Sequence, residues 1–258
     1  MILKLCVKEV LRFLLRVFYV FRVKSNRVLF ESYSGERICC NPFYIYDNIE
    51  KIVGSNVEIA WSVKPKCNNE YADIKCVKRF SLSYFKYLMT AKVYITNIGG
   101  YDYIPFRKTQ IVINTWHAGG AYKKIEKDFY DIGRCQWLYN RSILHFSKAT
   151  SYFLSSSYST TKCMSSAWNL HEDKFVKLGL PRNDVFFSAQ KMNELSNCIR
   201  DRFNIKQSDF VVLYAPTFRN TTSSPSYDWS LKENELLEAV KKRFAAKRVI
   251  LFLRYHMC

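Results

Sequence analysis

No stretch of this sequence is apolar for long enough, free of charge, to cross a bilayer. The most hydrophobic run, Ile2 to Phe21, is broken by Lys4, Lys8, Glu9, Arg12 and Arg16, which excludes an ordinary spanning helix. That run also lacks the clean apolar core and small-residue cleavage site of a secretory signal. Cysteine patterning is missing too. The 9 cysteines stand singly apart from Cys39 and Cys40, with no C-x-x-C pair and no histidine ladder. Such a set reads as reduced thiols in a cytosolic setting and argues against structural zinc. Internal repeats and low-complexity segments are absent. Acidic residues are few, 22 against 40 basic ones, for a formal net charge of +18. The excess implies a polyanionic neighbour: nucleic acid, anionic lipid or phosphate-rich substrates. Lysines and arginines are dispersed over the whole length and no homeodomain, RNA-recognition or finger pattern appears, so nucleic acid rests on charge alone and is set aside.

What is present is ample apolar material: 48% hydrophobic and 16% aromatic residues in 258, enough for one large domain or two modest ones. Residues 1–24 form a separate problem. On a helix, Lys4, Lys8, Arg12 and Arg16 make one drifting basic stripe, with Leu5, Val7, Leu11, Leu14, Leu15, Phe18 and Phe21 over much of the rest. Two readings stand. The helix lies in a membrane headgroup layer with its cations toward anionic lipid, or it packs against the body of the protein.

From residue 25 the pattern alternates. Arg27 to Glu31 reads as a buried strand, Ser32 to Glu36 as a polar turn, Pro42 to Val53 as a helix and Val57 to Val63 as a strand, which together suggest a right-handed βαβ unit in a parallel sheet. Ser81 to Thr90 reads as helix, Lys92 to Thr96 and Gln110 to Asn114 as strands, Lys127 to Ser147 as helix, Ser151 to Ser155 as strand, Ser157 to Ala167 as a serine-capped helix, and Phe175 to Leu178 as strand. This gives a first Rossmann-like domain over 25–188. The polar helix Gln190 to Phe203 suits a linker over 189–207. A second unit over 208–258 has strands at Phe210 to Tyr214 and Arg248 to Leu253 and a helix from Lys232 to Lys242. Two strands and one helix cannot cover both faces of a parallel sheet, so this second domain reads as incomplete.

The sharpest chemical signal is Asn114 to Lys124 (NTWHAGGAYKK). His117 falls at the carboxyl end of a predicted strand, where doubly wound sheets bind ligands, and imidazole can take a proton near neutral pH. Gly119 and Gly120 let backbone N–H groups approach an anion, with Lys123 and Lys124 beside them. His256 has the same strand-end placement, next to Arg254, a group suited to phosphate. Thr217 and Arg219 follow the strand ending at Tyr214 and would face the same edge. Arg182 and Asp184, in Gly-Leu-Pro-Arg-Asn-Asp, read either as a turn with an internal ion pair or as substrate contacts. His145 and His171 read as structural or surface residues.

Five segments in order, Val28 to Pro42 (VLFESYSGERICCNP), Asn114 to Lys124, Gly179 to Asp184 (GLPRND), Leu213 to Arg219 (LYAPTFR) and Leu253 to His256 (LRYH), resemble the CDP-glycerol glycerophosphotransferases and their polyribitol-phosphate relatives. The resemblance implies an α/β, glycosyltransferase-B-like fold: two Rossmann-like domains with parallel sheets, the acceptor on the first and a CDP-linked donor on the second. It implies transfer of glycerol phosphate or ribitol phosphate from CDP-glycerol or CDP-ribitol to a lipid-linked teichoic-acid or capsular polymer, with release of CMP. The family's two histidines fall on His117, as general base for the acceptor hydroxyl, and His256, at the donor pyrophosphate. No metal and no cofactor beyond the CDP-polyol substrate is implied, and the place of work is the cytoplasmic face of a bacterial membrane, held peripherally. The sequence departs from relatives where the stretch after His256 is replaced by Met257-Cys258, so the chain reads as C-terminally truncated, with the donor half-site missing and no catalysis expected from it alone. The alternative is an inactive remnant that only binds membrane or anionic polymer.

Overall fold

In the computed structural model, residues 1–54, 56–65, 71, 73–215, 232–244 and 248–254 are described. The central strands of the first unit bury apolar side chains on both faces, as parallel strands covered on two sides must. In β1 (Lys24–Glu31), which follows helix α1 (Ile2–Leu14), Val28 and Phe30 enter one core while Leu29 enters the other, the period of two that a pleated strand imposes. Next come α2 (Cys40–Val53), β2 (Glu58–Val63), β3 (Cys76–Lys78), α3 (Leu82–Thr90), β4 (Ala91–Thr96) and β5 (Ile111–Asn114). Then follow α4 (Gln136–Ala149), β6 (Tyr152–Leu154), α5 (Tyr158–Trp168) and β7 (Phe175–Val176). All pairings are parallel, in the order β3-β2-β1-β4-β5-β6-β7.

The order reverses between β1 and β4, so the crevice outside their carboxyl ends is the switch point where open α/β sheets take ligands. One core, containing Leu29, Tyr94, Val112 and Phe153, lies under α1, α3, α4 and α5. The other, with Val28, Phe30, Trp61 and Ile95, lies under α2. Gly35, at φ +79°, carries the chain from β1 toward α2, and a Cβ there would come within 3.0 Å of the Lys64 backbone nitrogen. Glycine is the residue that fits such a bend.

Helix α1 takes part of both readings and reverses the expected orientation. Two of the four basic residues turn inward: Lys8 Nζ lies 2.8 Å from the buried Asp102 carboxylate, and Arg12 donates to the carbonyls of Asp102 (2.9 Å) and Ile104 (2.8 Å). Glu9 meets Arg141 at 3.1 Å and His145 at 3.2 Å on α4. Leu5 and Leu15 are buried, whereas Leu3, Val7, Val10, Leu14 and Val17 are exposed. Their spacing of four and three residues makes them one stripe. The body of the protein satisfies half the cations, and apolar side chains look outward. Among the described residues no helix is long and apolar enough to cross a membrane.

Two sequence expectations need correction. The helix expected from Lys127 begins only at Gln136, because short 3-10 turns at Glu126–Asp128 and Gly133–Cys135 fall before it, with Gly133 at φ +59°. Strand β3 has only three residues and went unpredicted.

The chain divides into two compact units, Met1–Asp184 and Val185–Cys258. In the second, α6 (Ala189–Arg202) precedes β8 (Phe210–Tyr214), α7 (Glu233–Phe244) and β9 (Val249–Leu253), with β8 and β9 parallel. Phe203 just past α6 packs edge-on against Phe252 of β9, centroids 4.9 Å apart, and Phe210 stacks on Phe244 at 4.5 Å. Within the 189–207 segment expected as a linker, α6 buries no residue, while Phe203 and the buried Ile205 that follow it belong to the second unit.

Candidate active site

His117 is carried by the loop that leaves β5, one strand from the switch point. Its neighbour Trp116 stands at φ +51°, a left-handed conformation that costs a bulky residue roughly 1–2 kcal/mol. Two asparagines hold it there. Asn114 Oδ1 accepts from the Trp116 N–H at 2.8 Å, and the fully buried Asn41 at the head of α2 donates to the carbonyls of Thr115 (3.2 Å) and Trp116 (2.9 Å). Asn41 Oδ1 also accepts from the Arg182 N–H at 3.2 Å. One side chain therefore fastens the loops after β5 and β7 to α2.

The imidazole Nδ1 of His117 lies 2.9 Å from the Asn97 carbonyl oxygen, at the end of β4. A carbonyl only accepts, so Nδ1 carries the proton and Nε2 keeps its lone pair. Burial lowers the pKa of His117 below the usual 6.5; the Asn97 contact opposes this and the positive Arg182 adds to it. At neutral pH the ring is an uncharged base. The Tyr33 ring stands 5.6 Å from it, centroid to centroid. Tyr33 in turn reaches Cys40 Sγ from its hydroxyl at 3.6 Å, and Arg182 Nη1 reaches the same sulfur at 3.3 Å.

The site thus brings Arg182, which the sequence left open between a turn ion pair and a substrate contact, near His117, and adds Tyr33, Cys40, Asn41 and Asn97, to which the sequence reading gave no role. Their signal was positional: Tyr33, Cys40 and Asn41 lie in the segment leaving β1, and Asn97 is the first residue after β4. Asp184 does not join them. Among the described residues it makes no ion pair with Arg182; it is exposed and borders an apolar cavity of about 460 Å³ with Ile45, Ile113, Leu154 and Val176.

Gly119 and Gly120 do not adopt positive φ. A Cβ on Gly119 would meet open space and one on Gly120 the Tyr122 ring, so the protein's own packing at Gly119 does not demand glycine. The Gly119 carbonyl accepts from Ser156 Oγ at 2.7 Å. Lys123 and Lys124 are exposed and, with Lys162 of α5, line a cavity of about 590 Å³ that also includes Tyr122 and Asp128. His145 Nε2 lies 3.2 Å from the Glu9 carboxylate without a hydrogen bond, and the exposed His171 lies 2.9 Å from Asp173. In the second unit Arg254 is exposed and its backbone N–H bonds the Tyr214 carbonyl at 2.9 Å. Thr217, Arg219 and His256 lie outside the described residues. Among the described residues no group of three His, Cys, Asp or Glu is placed to hold a metal ion.

The chain is similar to several known proteins. The teichoic acid poly(glycerol phosphate) polymerase of Bacillus spizizenii is 28% identical over 249 residues, which are 92% of this chain and 62% of that protein. The teichoic acid ribitol-phosphate polymerase TarK of Staphylococcus aureus is 28% identical over 199 residues, 76% of this chain and 37% of that one. Among solved structures, the wall teichoic acid polymerase TagF superposes with a TM-score of 0.78 at 26% identity, covering 96% of this chain and 61% of that one. The chain therefore spans about three-fifths of the length of TagF and of the Bacillus relative, and its fold is of the glycosyltransferase-B-like α/β class. The family model described as CDP-Glycerol:Poly(glycerophosphate) glycerophosphotransferase matches residues 13–258, and the chain belongs to that family.

Proposed function

We propose that this protein takes part in transferring a polyol phosphate, glycerol phosphate or ribitol phosphate, from a CDP-linked donor to a teichoic-acid-type polymer, and that the Met1–Asp184 unit carries the acceptor half of the reaction. The observation that carries this reading is the uncharged His117, its Nδ1–H held by the Asn97 carbonyl and its Nε2 left basic. In the proposed step the acceptor hydroxyl gives its proton to Nε2, its oxygen bonds to the phosphorus of the donor's polyol phosphate, and the bond from that phosphorus to CMP breaks. Arg182 stands ready for the charge that builds on phosphate oxygens. The lysine-lined cavity beside the His117 loop suits successive phosphodiesters of a polymer. Relatives acting on glycerol phosphate and on ribitol phosphate both resemble the chain, and TagF was also solved as a variant soaked with CDPG, at 25% identity and a TM-score of 0.78.

The acceptor would be lipid-linked, with the chain on the cytoplasmic face of the membrane. The exposed stripe Leu3, Val7, Val10, Leu14 and Val17 supports this attachment: it would enter the acyl boundary, with the exposed Lys4 and Arg16 meeting lipid headgroups. The deciding assay mixes the chain with CDP-glycerol or CDP-ribitol and a lipid-linked acceptor and follows CMP. Release that disappears in His117→Ala supports the transferase. Polymer retention without CMP release at any enzyme concentration supports a chain that binds only.

A further inference from the structure

Two hydrogen bonds reach one sulfur atom at the head of α2, and two further N–H groups stand near it. Cys40 Sγ receives the Tyr33 hydroxyl at 3.6 Å and Arg182 Nη1 at 3.3 Å. The Asn41 backbone N–H and the Asn97 side-chain amide face it as well. Asn97 is fully buried, and its Nδ2 donor finds no normal acceptor in the structure. A thiol is a weak acceptor that cannot use so many donors, whereas a thiolate can. The start of a helix adds further positive potential at this position.

We infer that Cys40 is a covalent-modification site in the His117 crevice, a thiolate nucleophile toward hydroperoxides, whose oxidised form is held by the spare amide of Asn97 together with Arg182. The sulfur attacks one peroxide oxygen, the O–O bond breaks, and hydroxide leaves; loss of the sulfenic proton to that hydroxide yields sulfenate and water. Sulfur is oxidised by two electrons and the peroxide is reduced by two. The oxygen so gained is an anion within reach of donors already aimed at the sulfur, which is what an idle buried N–H group lacks.

The neighbouring cysteines sharpen the assignment. Burial alone would raise the Cys40 pKa, yet the donors from Tyr33, Asn97, Asn41 and Arg182 outweigh it and the thiol is more acidic than usual. Cys39, equally half-buried, is less acidic than usual because burial and the adjacent Cys40 outweigh Arg37 and Ser32. Cys76 is raised by burial. The charged and titratable groups around Cys40 are therefore Tyr33, Cys39 and Arg182, with His117 beyond the Tyr33 ring.

The inference does not rest on the transferase reading, since its test uses no substrate. The reduced full chain is treated with limiting hydrogen peroxide at pH 7 in the presence of dimedone, and the adducts are mapped by peptide mass spectrometry. Cys40 should carry the adduct at least about fivefold above Cys39 and Cys76. Tyr33→Phe, which keeps the ring and removes one donor, should lower the Cys40 yield severalfold while far-UV circular dichroism is unchanged. An adduct spread evenly over the cysteines overturns the inference, as does a Cys40 yield in folded Tyr33→Phe equal to that of the unmodified chain.

Discussion

The Nδ1 atom of His117 and the carbonyl oxygen of Asn97, 2.9 Å apart, join the ends of two neighbouring strands and fix a proton on one side of the imidazole. The contact decides which nitrogen is basic without any carboxylate. A triad would add negative charge and raise the imidazole pKa, whereas here burial lowers it and the nearby Arg182 works in the same direction.

It follows that His117 stays neutral to lower pH than a free histidine. The folded state then binds fewer protons at this ring than the unfolded chain does. Its part of the stability is present above the unfolded value of about 6.5 and is lost as pH falls through the folded value. A proton NMR titration of the His117 ring, assigned by comparison with His117→Gln, should show a midpoint below 6.5. A midpoint above it would remove the uncharged base from the proposed reaction.

Asn41 offers a test of how the crevice is assembled. Replacing it by alanine leaves the carbonyls of Thr115 and Trp116 and the N–H of Arg182 without their partner, a loss of about 2–3 kcal/mol if water does not fill the gap. The urea midpoint should fall accordingly. Because three segments meet at this side chain, CMP release should fall more steeply than the loss of folded protein accounts for. Equal losses would mean that Asn41 serves stability alone.

The Asn41 contacts also mark what sequence can and cannot reveal. Strands β1, β2, β4 and β5 were legible because each is a run of β-branched and aromatic residues bounded by polar turns, and His117 was legible because it follows such a run directly. Arg182 stood out through its turn-forming Gly-Leu-Pro. By contrast, β3 has three residues, one of them a lysine and only Val77 buried, too few to show a period. The Cys40–Asn41 pair, Asn97 and the His117 loop come from segments far apart in the chain, and their convergence is a product of strand order. Nothing local encodes it. The same holds for α1, where a basic stripe suggested contact with lipid until Asp102, some ninety residues away, supplied the partner.

Asp102 should accordingly govern the docking of α1. It is 5% exposed and takes Lys8 and Ser142 on its two carboxylate oxygens. Asp102→Ala strands an ammonium group that is only partly solvated and removes an acceptor from Ser142, at a cost of about 2 kcal/mol. Hydrogen exchange over Ile2–Leu14 should then accelerate more than exchange in β1 or β4. Uniform acceleration across the unit would show instead that the aspartate supports the whole core.

The outward stripe of α1 permits the sharpest separation of folding from membrane binding. Val10 and Leu14 are 58% and 56% exposed, so Val10→Glu with Leu14→Glu should leave the thermal midpoint within a degree or two. On a bilayer the same side chains would each bury apolar area worth roughly 1–2 kcal/mol, and carboxylates would be repelled by anionic headgroups. Co-sedimentation with vesicles containing about 30% phosphatidylglycerol should therefore drop more than tenfold. Lys4→Gln with Arg16→Gln should instead weaken binding mainly to anionic vesicles and reduce its salt dependence, because those two exposed cations act through charge. If the glutamate pair binds vesicles as tightly as the unmodified chain, the stripe does not face lipid.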